Sequence, residues 1–215
     1  MKKRKEYLLD LLFPPKCAFC GEHGVHGVCP KCERSLPYCE TPLHERTGIG
    51  TCVAPLRYDG AVRESLLRFK FRGGRGNAEG YGTLLAQTAA EQYGGAFEVV
   101  TYVPVSDRRK RVRGYDQAFL LAKETCRAWD TEPVTLLRKT RDNPAQSSLS
   151  SPEERRANVL GVYEAVNTEA IKDARILLID DILTTGATLR ECVRVLREAG
   201  AQSVLCATLA ASDEK

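Results

Sequence analysis

The sequence predicts an α/β protein, a mainly parallel sheet flanked by helices, preceded by a small cysteine-rich module. Three observations carry that expectation. From about residue 99 onward, apolar strand-like runs alternate with helical patterns, which is the signature of βαβ units. One of those runs, Ile176-Leu177-Leu178-Ile179, is apolar throughout, as a strand covered on both faces must be. Six of the nine cysteines lie before residue 53, in a stretch without the hydrophobic periodicity needed to build a core unaided.

With 215 residues, 43% of them hydrophobic, the chain can bury one medium domain plus an appendage without relying on disulfides. Its formal net charge of +4 says little about partners, and local clustering matters more. The opening Met1-Lys2-Lys3-Arg4-Lys5 is followed by Tyr7-Leu8-Leu9-Asp10-Leu11-Leu12-Phe13, too short and too interrupted for a secretory core. Leu8, Leu11 and Leu12 fall at helical spacing before Pro14-Pro15, which predicts a short amphipathic helix. No stretch reaches the length of a membrane span, so a cytoplasmic protein is expected.

In order along the chain, residues 1–53 form the N-terminal helix and metal module, and residues 54–215 the α/β domain. Val62, Leu66, Leu67 and Phe69 have helical spacing, and a second helix is predicted from about Ala78 to Gln92. Val99–Val105 reads as a buried strand, Tyr115–Trp129 as a helix and Val134–Leu137 as a short strand. Lys139–Ala157 is a long polar stretch holding Pro144 and Pro152, and such a loop inside an α/β domain commonly serves as a lid. Ile176–Ile179, Gly186–Gly200 and Ser203–Leu209 complete the pattern as strand, helix and strand.

Cys17-x-x-Cys20 and Cys29-x-x-Cys32 are separated by eight residues. Two such pairs suit one tetrahedral zinc ion bound by four thiolates. Two disulfides, an iron–sulfur cluster and redox chemistry are the competing readings. No helix is expected to open at either pair, which weakens the redox reading because nothing there would stabilise a thiolate. Cys39 and Cys52, with His44 between them, do not make a second full site, and His23 and His26 read as exposed loop residues. Cys126, Cys192 and Cys206 lie in hydrophobic stretches and read as small core residues.

The richest segment is Ile176-Leu177-Leu178-Ile179-Asp180-Asp181-Ile182-Leu183-Thr184-Thr185-Gly186-Ala187-Thr188. A buried strand runs into two acids, a Thr/Gly loop and a helix. Ligands of open α/β sheets bind beyond the carboxyl ends of strands, and a helix N-terminus offers unpaired N–H groups to an anion. Gly186 permits close approach, and Thr184, Thr185 and Thr188 add hydroxyls. Two adjacent carboxylates would repel a phosphate, so Asp180 and Asp181 must take hydroxyl groups or a metal shell. Helix capping explains one such residue but not the whole string. The absence of Gly-x-x-x-x-Gly-Lys-[Ser/Thr] excludes a P-loop.

This thirteen-residue segment resembles the signature of type I phosphoribosyltransferases for PRPP, 5-phosphoribosyl 1-diphosphate. The resemblance implies that Asp180 and Asp181 bind the ribose hydroxyls, while Thr184, Thr185, Gly186, Ala187 and Thr188 bind the 5-phosphate. A PRPP site must also hold a diphosphate, usually with Mg²⁺. Ser106 with Arg108, Arg109, Lys110 and Arg113 is the expected place, in a run with five positive charges in six residues; a merely solvated basic loop is the alternative.

Together with Arg113-Gly114-Tyr115-Asp116-Gln117-Ala118 and the spaced Arg141, Gln146, Leu149, Arg155 and Asn158, the segment makes almost the whole chain similar to the ComF family. Those proteins join a zinc module to a phosphoribosyltransferase-like domain. Relatives commonly carry Asn where this chain has Asp116, which sets a negative charge near the expected diphosphate. Arg141, Gln146 and Arg155 are the expected lid residues.

The implied activity is transfer of a phosphoribosyl group to an acceptor that the sequence does not identify. Two other readings stay open. ComF relatives are linked to DNA uptake, and Arg63, Arg68, Lys70, Arg72 and Arg75 with Arg108–Arg113 could follow single-stranded DNA, although aromatic residues for stacking are sparse. A PRPP or nucleotide sensor without turnover is the third. Zn²⁺ as a structural ion and Mg²⁺ with PRPP are the expected cofactors, and DNA-uptake proteins are further expected partners.

Overall fold

The computed structural model describes residues 14–46, 48–143 and 152–212. The helix expected over Tyr7–Phe13 lies outside them, as does Gln146. A main sheet of six strands has the order β1-β2-β8-β7-β4, with β3 also on β8. Its strands are β1 Leu43–Arg46, β2 Gly50–Val53, β3 Leu56–Arg57, β4 Val99–Tyr102, β7 Arg175–Leu183 and β8 Ser203–Ala211. β4, β7 and β8 run parallel, β2 and β3 add to β8 in parallel, and only β1 is antiparallel. The expected parallel sheet is present, and β1–β2 ties the cysteine-rich half into it. A separate antiparallel pair joins β5 Leu137–Lys139 to β6 Tyr163–Ala165.

β7 explains the two-sided burial. Leu177 and Ile179 enter one core and Ile176 and Leu178 the other, as a two-residue side-chain period requires. Helices α2 Gly60–Phe71, α3 Asn77–Tyr93 and α5 Gln117–Arg127 contribute Leu66, Leu85 and Leu121 to the first core. α7 Ala187–Glu198 covers the second with Leu189, Cys192, Val193 and Leu196, an i, i+3, i+4, i+7 stripe. α6, Pro152–Val159, closes the same side through Val159. Cys126, Cys192 and Cys206 are fully buried, as expected, and burial pushes their thiols upward.

Three details differ from the sequence reading. β7 continues through both acids to Leu183 rather than stopping at Ile179, because Ile182 and Leu183 still pair with Ala210 and Ala211 of β8. The basic run is itself a helix, α4 Asp107–Arg113, with Ser106 as N-cap, Asp107 in its first turn and Gly114 as a left-handed C-cap. Basic side chains crowd its last turn, where the helix dipole favours them. Finally, a short helix, α1 Pro30–Ser35, does open at the second cysteine pair, with the Cys29 sulfur accepting the Cys32 N–H. Pro30 at its first position is what the sequence signal for this helix was.

Candidate functional site: a charged cleft beside a four-cysteine knuckle

At the carboxyl end of β7 lies a cleft of about 430 Å³. One wall is the β7–α7 connection. Gly186, the residue before α7, has φ +69°, and a Cβ there would fall 2.3 Å from Ile49 Cδ1. The left-handed backbone disfavours any residue with a Cβ, and a side chain there would also have to displace the Ile49 methyl group. Gly186 has no side chain to cap α7, and the Ala187 N–H has a long contact, 3.5 Å, to Thr185 Oγ1. Thr184, Thr185, Ala187 and Thr188 line the same wall.

Asp180 and Asp181 stand at the floor. The Asp181 N–H donates to Asp180 Oδ1 at 2.8 Å, and Lys70 Nζ of α2 pairs with Asp181 Oδ2 at 2.9 Å. Burial, then the neighbouring Asp181 charge, push the Asp180 carboxyl up to about 8. Two carboxylates sharing one site favour proton uptake by Asp180.

The lining also includes Val103, Pro104 and Val105 after β4, and Arg109 and Arg113 of α4. The Arg113 guanidinium lies over the Phe71 ring, 4.9 Å from its centroid, a favourable cation–π placement. Of the five residues expected to hold a diphosphate, the cleft lining includes Arg109 and Arg113 but not Ser106, Arg108 or Lys110. Ser106 and Arg108 donate to Asp142 at 2.6 and 2.8 Å, while Arg109 donates to the Asn143 carbonyl. These contacts hold the Asp142 carboxylate below its ordinary range, the Ser106 hydrogen bond first and Arg108 next. They moor the start of the polar loop to α4. Lys110 faces a smaller recess with Asp107 and Arg138.

Arg141 is exposed and its Nη2 donates to the carbonyls of Leu160 and Gly161 at 3.3 and 3.4 Å. It straps together the two ends of the loop instead of pointing into the cleft. The Arg155 side chain, like Gln146, falls outside what the structure describes. Asp116 is turned inward, accepting the N–H groups of Val105 at 2.9 Å and Phe119 at 3.1 Å. Its carboxylate is a helix cap and loop brace, and burial raises its pKa.

The cleft also holds Lys139 and Asn143, known from the sequence only as members of the polar stretch, and Gln117, known only as part of the Arg113–Ala118 motif. Lys139 ends β5 and rests on the Tyr163 ring at 5.2 Å. Burial, and then Arg109, lower its amine to about 8, partly offset by Asp142 and Asp180. Lys70 was read as part of a nucleic-acid face, yet it pairs with Asp181. Arg68 donates to the Phe19 carbonyl and Arg75 to that of Gly114, so three of that set are engaged within the fold.

The metal module adjoins this site. The sulfurs of Cys17, Cys20, Cys29 and Cys32 all lie within 4.8 Å of one another, with Cys20 and Cys29 3.6 Å apart. Four sulfurs at about 2.3 Å from zinc stand roughly 3.8 Å apart in a tetrahedron, so the set fits that ion. Among the described residues it is the only such group; Cys52 is buried on β2, near Thr208. The knuckle is clamped against α2 and α3. Ser65 and Arg68 donate to the carbonyls of Ala18 and Phe19. A Cβ on Gly80 would come within 2.9 Å of the Gly27 backbone.

Residues 116–215 match the phosphoribosyl transferase domain family and residues 8–59 the double zinc ribbon domain family. The chain is 32% identical over 197 residues to competence protein ComFC of Bacillus subtilis, covering 90% of this chain and 76% of that protein. It is 27% identical to DNA utilization protein YhgH of Escherichia coli O157:H7, covering 93% of this chain and all (100%) of that one. A glutamine PRPP amidotransferase of B. subtilis shares 23% identity at a TM-score of 0.45, over 65% of this chain and 30% of that one. The matching families and the cysteine geometry support structural zinc and a phosphoribosyltransferase-like α/β domain. Among the described residues no helix is long and apolar enough to cross a membrane.

Proposed function

As the chain belongs to the ComF family, we propose that its cleft binds PRPP, in the cytoplasm and with Mg²⁺, and passes the phosphoribosyl group to an acceptor. The observation that carries this reading is that one cleft is lined by the start of α7 with its Thr184–Thr188 loop, by the cations Arg109, Arg113 and Lys139, and by the two carboxylates Asp180 and Asp181. A ligand that carries both anions and hydroxyls matches that set of groups. The α7 N–H groups and the Thr184–Thr188 loop take the 5-phosphate. Asp180 and Asp181 take the ribose hydroxyls. Arg109, Arg113 and Lys139 take the diphosphate.

In the transfer the bond from C1 to the diphosphate oxygen breaks and the electron pair leaves with the diphosphate. An acceptor lone pair then closes on C1. Bound Mg²⁺ would neutralise part of the leaving charge, and the oxygen-only acids of the floor suit so hard a cation. The cationic groups stabilise the charge that develops there, and the polar stretch Lys139–Ala157 supplies the lid, with Gln146 and Arg155 in it.

Calorimetric titration of PRPP into zinc-loaded protein with Mg²⁺ tests the reading, beside an Asp180→Asn/Asp181→Asn variant. Saturable binding lost in the variant is expected, and release of diphosphate on adding candidate acceptors tests transfer. Absence of binding to the wild type would remove the proposal.

A second reading follows from the outer face of α4, where Arg108, Lys110 and Arg111 are exposed, and from the competence names of the relatives. It has this face bind single-stranded DNA. Fluorescence anisotropy of a labelled oligonucleotide should show affinity falling steeply with salt, and falling again in a Lys110→Ala/Arg111→Ala variant; salt-independent affinity would discard it.

A further inference from the structure

Gln117 opens α5 and lines the cleft, yet is only 2% exposed. Neither its Oε1 nor its Nε2 has a hydrogen-bond partner. A buried carboxamide in that condition is costly, and nearly all buried polar side chains find partners. Its backbone is not free to relieve this, because Asp116 just before it caps the helix and holds the Val105 N–H. The side chain is thus among those lining the cleft, with its acceptor and its amide donors unpartnered just beneath the surface.

The choice of partner follows from chemistry. An ionised phosphate or diphosphate presents acceptors only and would oppose the Oε1 lone pairs. The cleft already has cations and helix N–H groups for such anions. A group that both gives and takes a hydrogen bond satisfies the carboxamide, whichever way its oxygen and nitrogen are placed. On a phosphoribosyl ligand the groups of that kind are the ribose hydroxyls. We infer that Gln117 is a ligand-binding residue that hydrogen-bonds a ribose hydroxyl alongside Asp180 and Asp181. This inference rests on the phosphoribosyl reading above.

The test compares wild type with Gln117→Met, which keeps side-chain length and removes both polar atoms. Each is titrated with PRPP, ribose 5-phosphate and inorganic diphosphate in Mg²⁺, and each is melted without ligand. The expected result is at least about tenfold weaker binding of PRPP and ribose 5-phosphate, equivalent to about 1.4 kcal/mol. Diphosphate binding should be unchanged, and the ligand-free melting temperature unchanged or higher. Equal binding of all three ligands by both proteins overturns the role of Gln117 and leaves the site reading intact. An equal loss for diphosphate also overturns it, because the amide would then serve the anion or the packing. A lowered ligand-free melting temperature would mean an internal partner and count against the inference too. Failure of the wild type to bind any phosphoribosyl ligand removes the function reading and this inference with it. Should the Met variant fail to fold, Gln117→Asn, which shortens the reach by one methylene, is read by the same criteria.

Discussion

Phe19, inside the first cysteine pair, packs its ring on that of Tyr81 with centroids 5.4 Å apart. The contact begins a column. Tyr81 meets Phe69 edge-on at 5.3 Å, and Phe69 meets Tyr115 at 5.8 Å. Tyr115 lies between Arg113 and Gln117, both of which line the cleft. Alongside it, α2 holds the knuckle through Ser65 and Arg68 and the cleft through Lys70. The metal centre and the cleft thus share one packed body.

Zinc removal should therefore weaken ligand binding without any zinc contact to the ligand. After chelation, PRPP affinity is expected to fall on the order of fivefold or more, and to return when zinc is restored. Calorimetry before and after chelation, with circular dichroism to confirm that the α/β domain stays folded, checks this; equal affinities would show that the column transmits nothing.

The Lys70–Asp181 pair is mostly buried, its side chains 22% and 13% exposed. Lys70→Met leaves two carboxylates without their cation, and roughly 1–3 kcal/mol of stability should go, somewhat below a fully buried pair. Asp181→Asn in the same chain should recover most of that loss. Denaturant unfolding of the single and double variants measures the coupling; additive losses would refute it.

Asp180 sets a pH signature. Its carboxyl is raised from 3.8 to about 8, so between those values the folded protein binds more protons than the unfolded chain. Stability from this group is full below the unfolded value and is lost as pH rises through the folded one. Asp180→Asn avoids the penalty. Its melting temperature should match wild type near pH 4 and exceed it at pH 8, by roughly 2–4 °C for each kcal/mol relieved. A pH-independent difference between the two melting curves would contradict the assignment.

Gly186→Ala is expected to disable the cleft from the backbone outward. A left-handed φ costs a residue with Cβ roughly 1–2 kcal/mol, and the methyl group would also strike Ile49. Adding Ile49→Ala relieves only the clash, so stability should recover in part while PRPP binding stays weak. Thermal melts with calorimetry separate the two effects, and full recovery of binding would show that the φ requirement is not critical.

Much of this was readable in the chain itself. The alternation from Val99 onward and the apolar Ile176–Ile179 run identified a parallel sheet, since burial on both faces leaves no room for polar residues. The paired cysteines announced a knuckle because their spacing matches four thiolates around one ion. The phosphate loop was legible as a contiguous string. The place of Lys70, Lys139 and Gln117 in the cleft was not, for each reaches it from a separate element and no local pattern distinguishes a side chain turned inward. The basic run misled in the other direction. Its charge was plain, but the Ser106 cap winds it into a helix, so only Arg109 and Arg113 among the expected cations share the inward face.

The hairpin β1–β2 and strand β3 have one more consequence. Cys52 and Val53 pair with Cys206 and Ala207, and Leu56 and Arg57 with Ala210 and Ala211, so β8 is flanked by segments from near the other end of the described chain. Cutting the protein between its cysteine-rich half and its α/β half would strip backbone donors and acceptors from β8 and leave an open, apolar sheet edge. Such an edge recruits strands from other molecules. The halves are best regarded as a single unit of expression, and a shortened version starting at Ala54 should be recovered in inclusion bodies rather than as a working minimal domain.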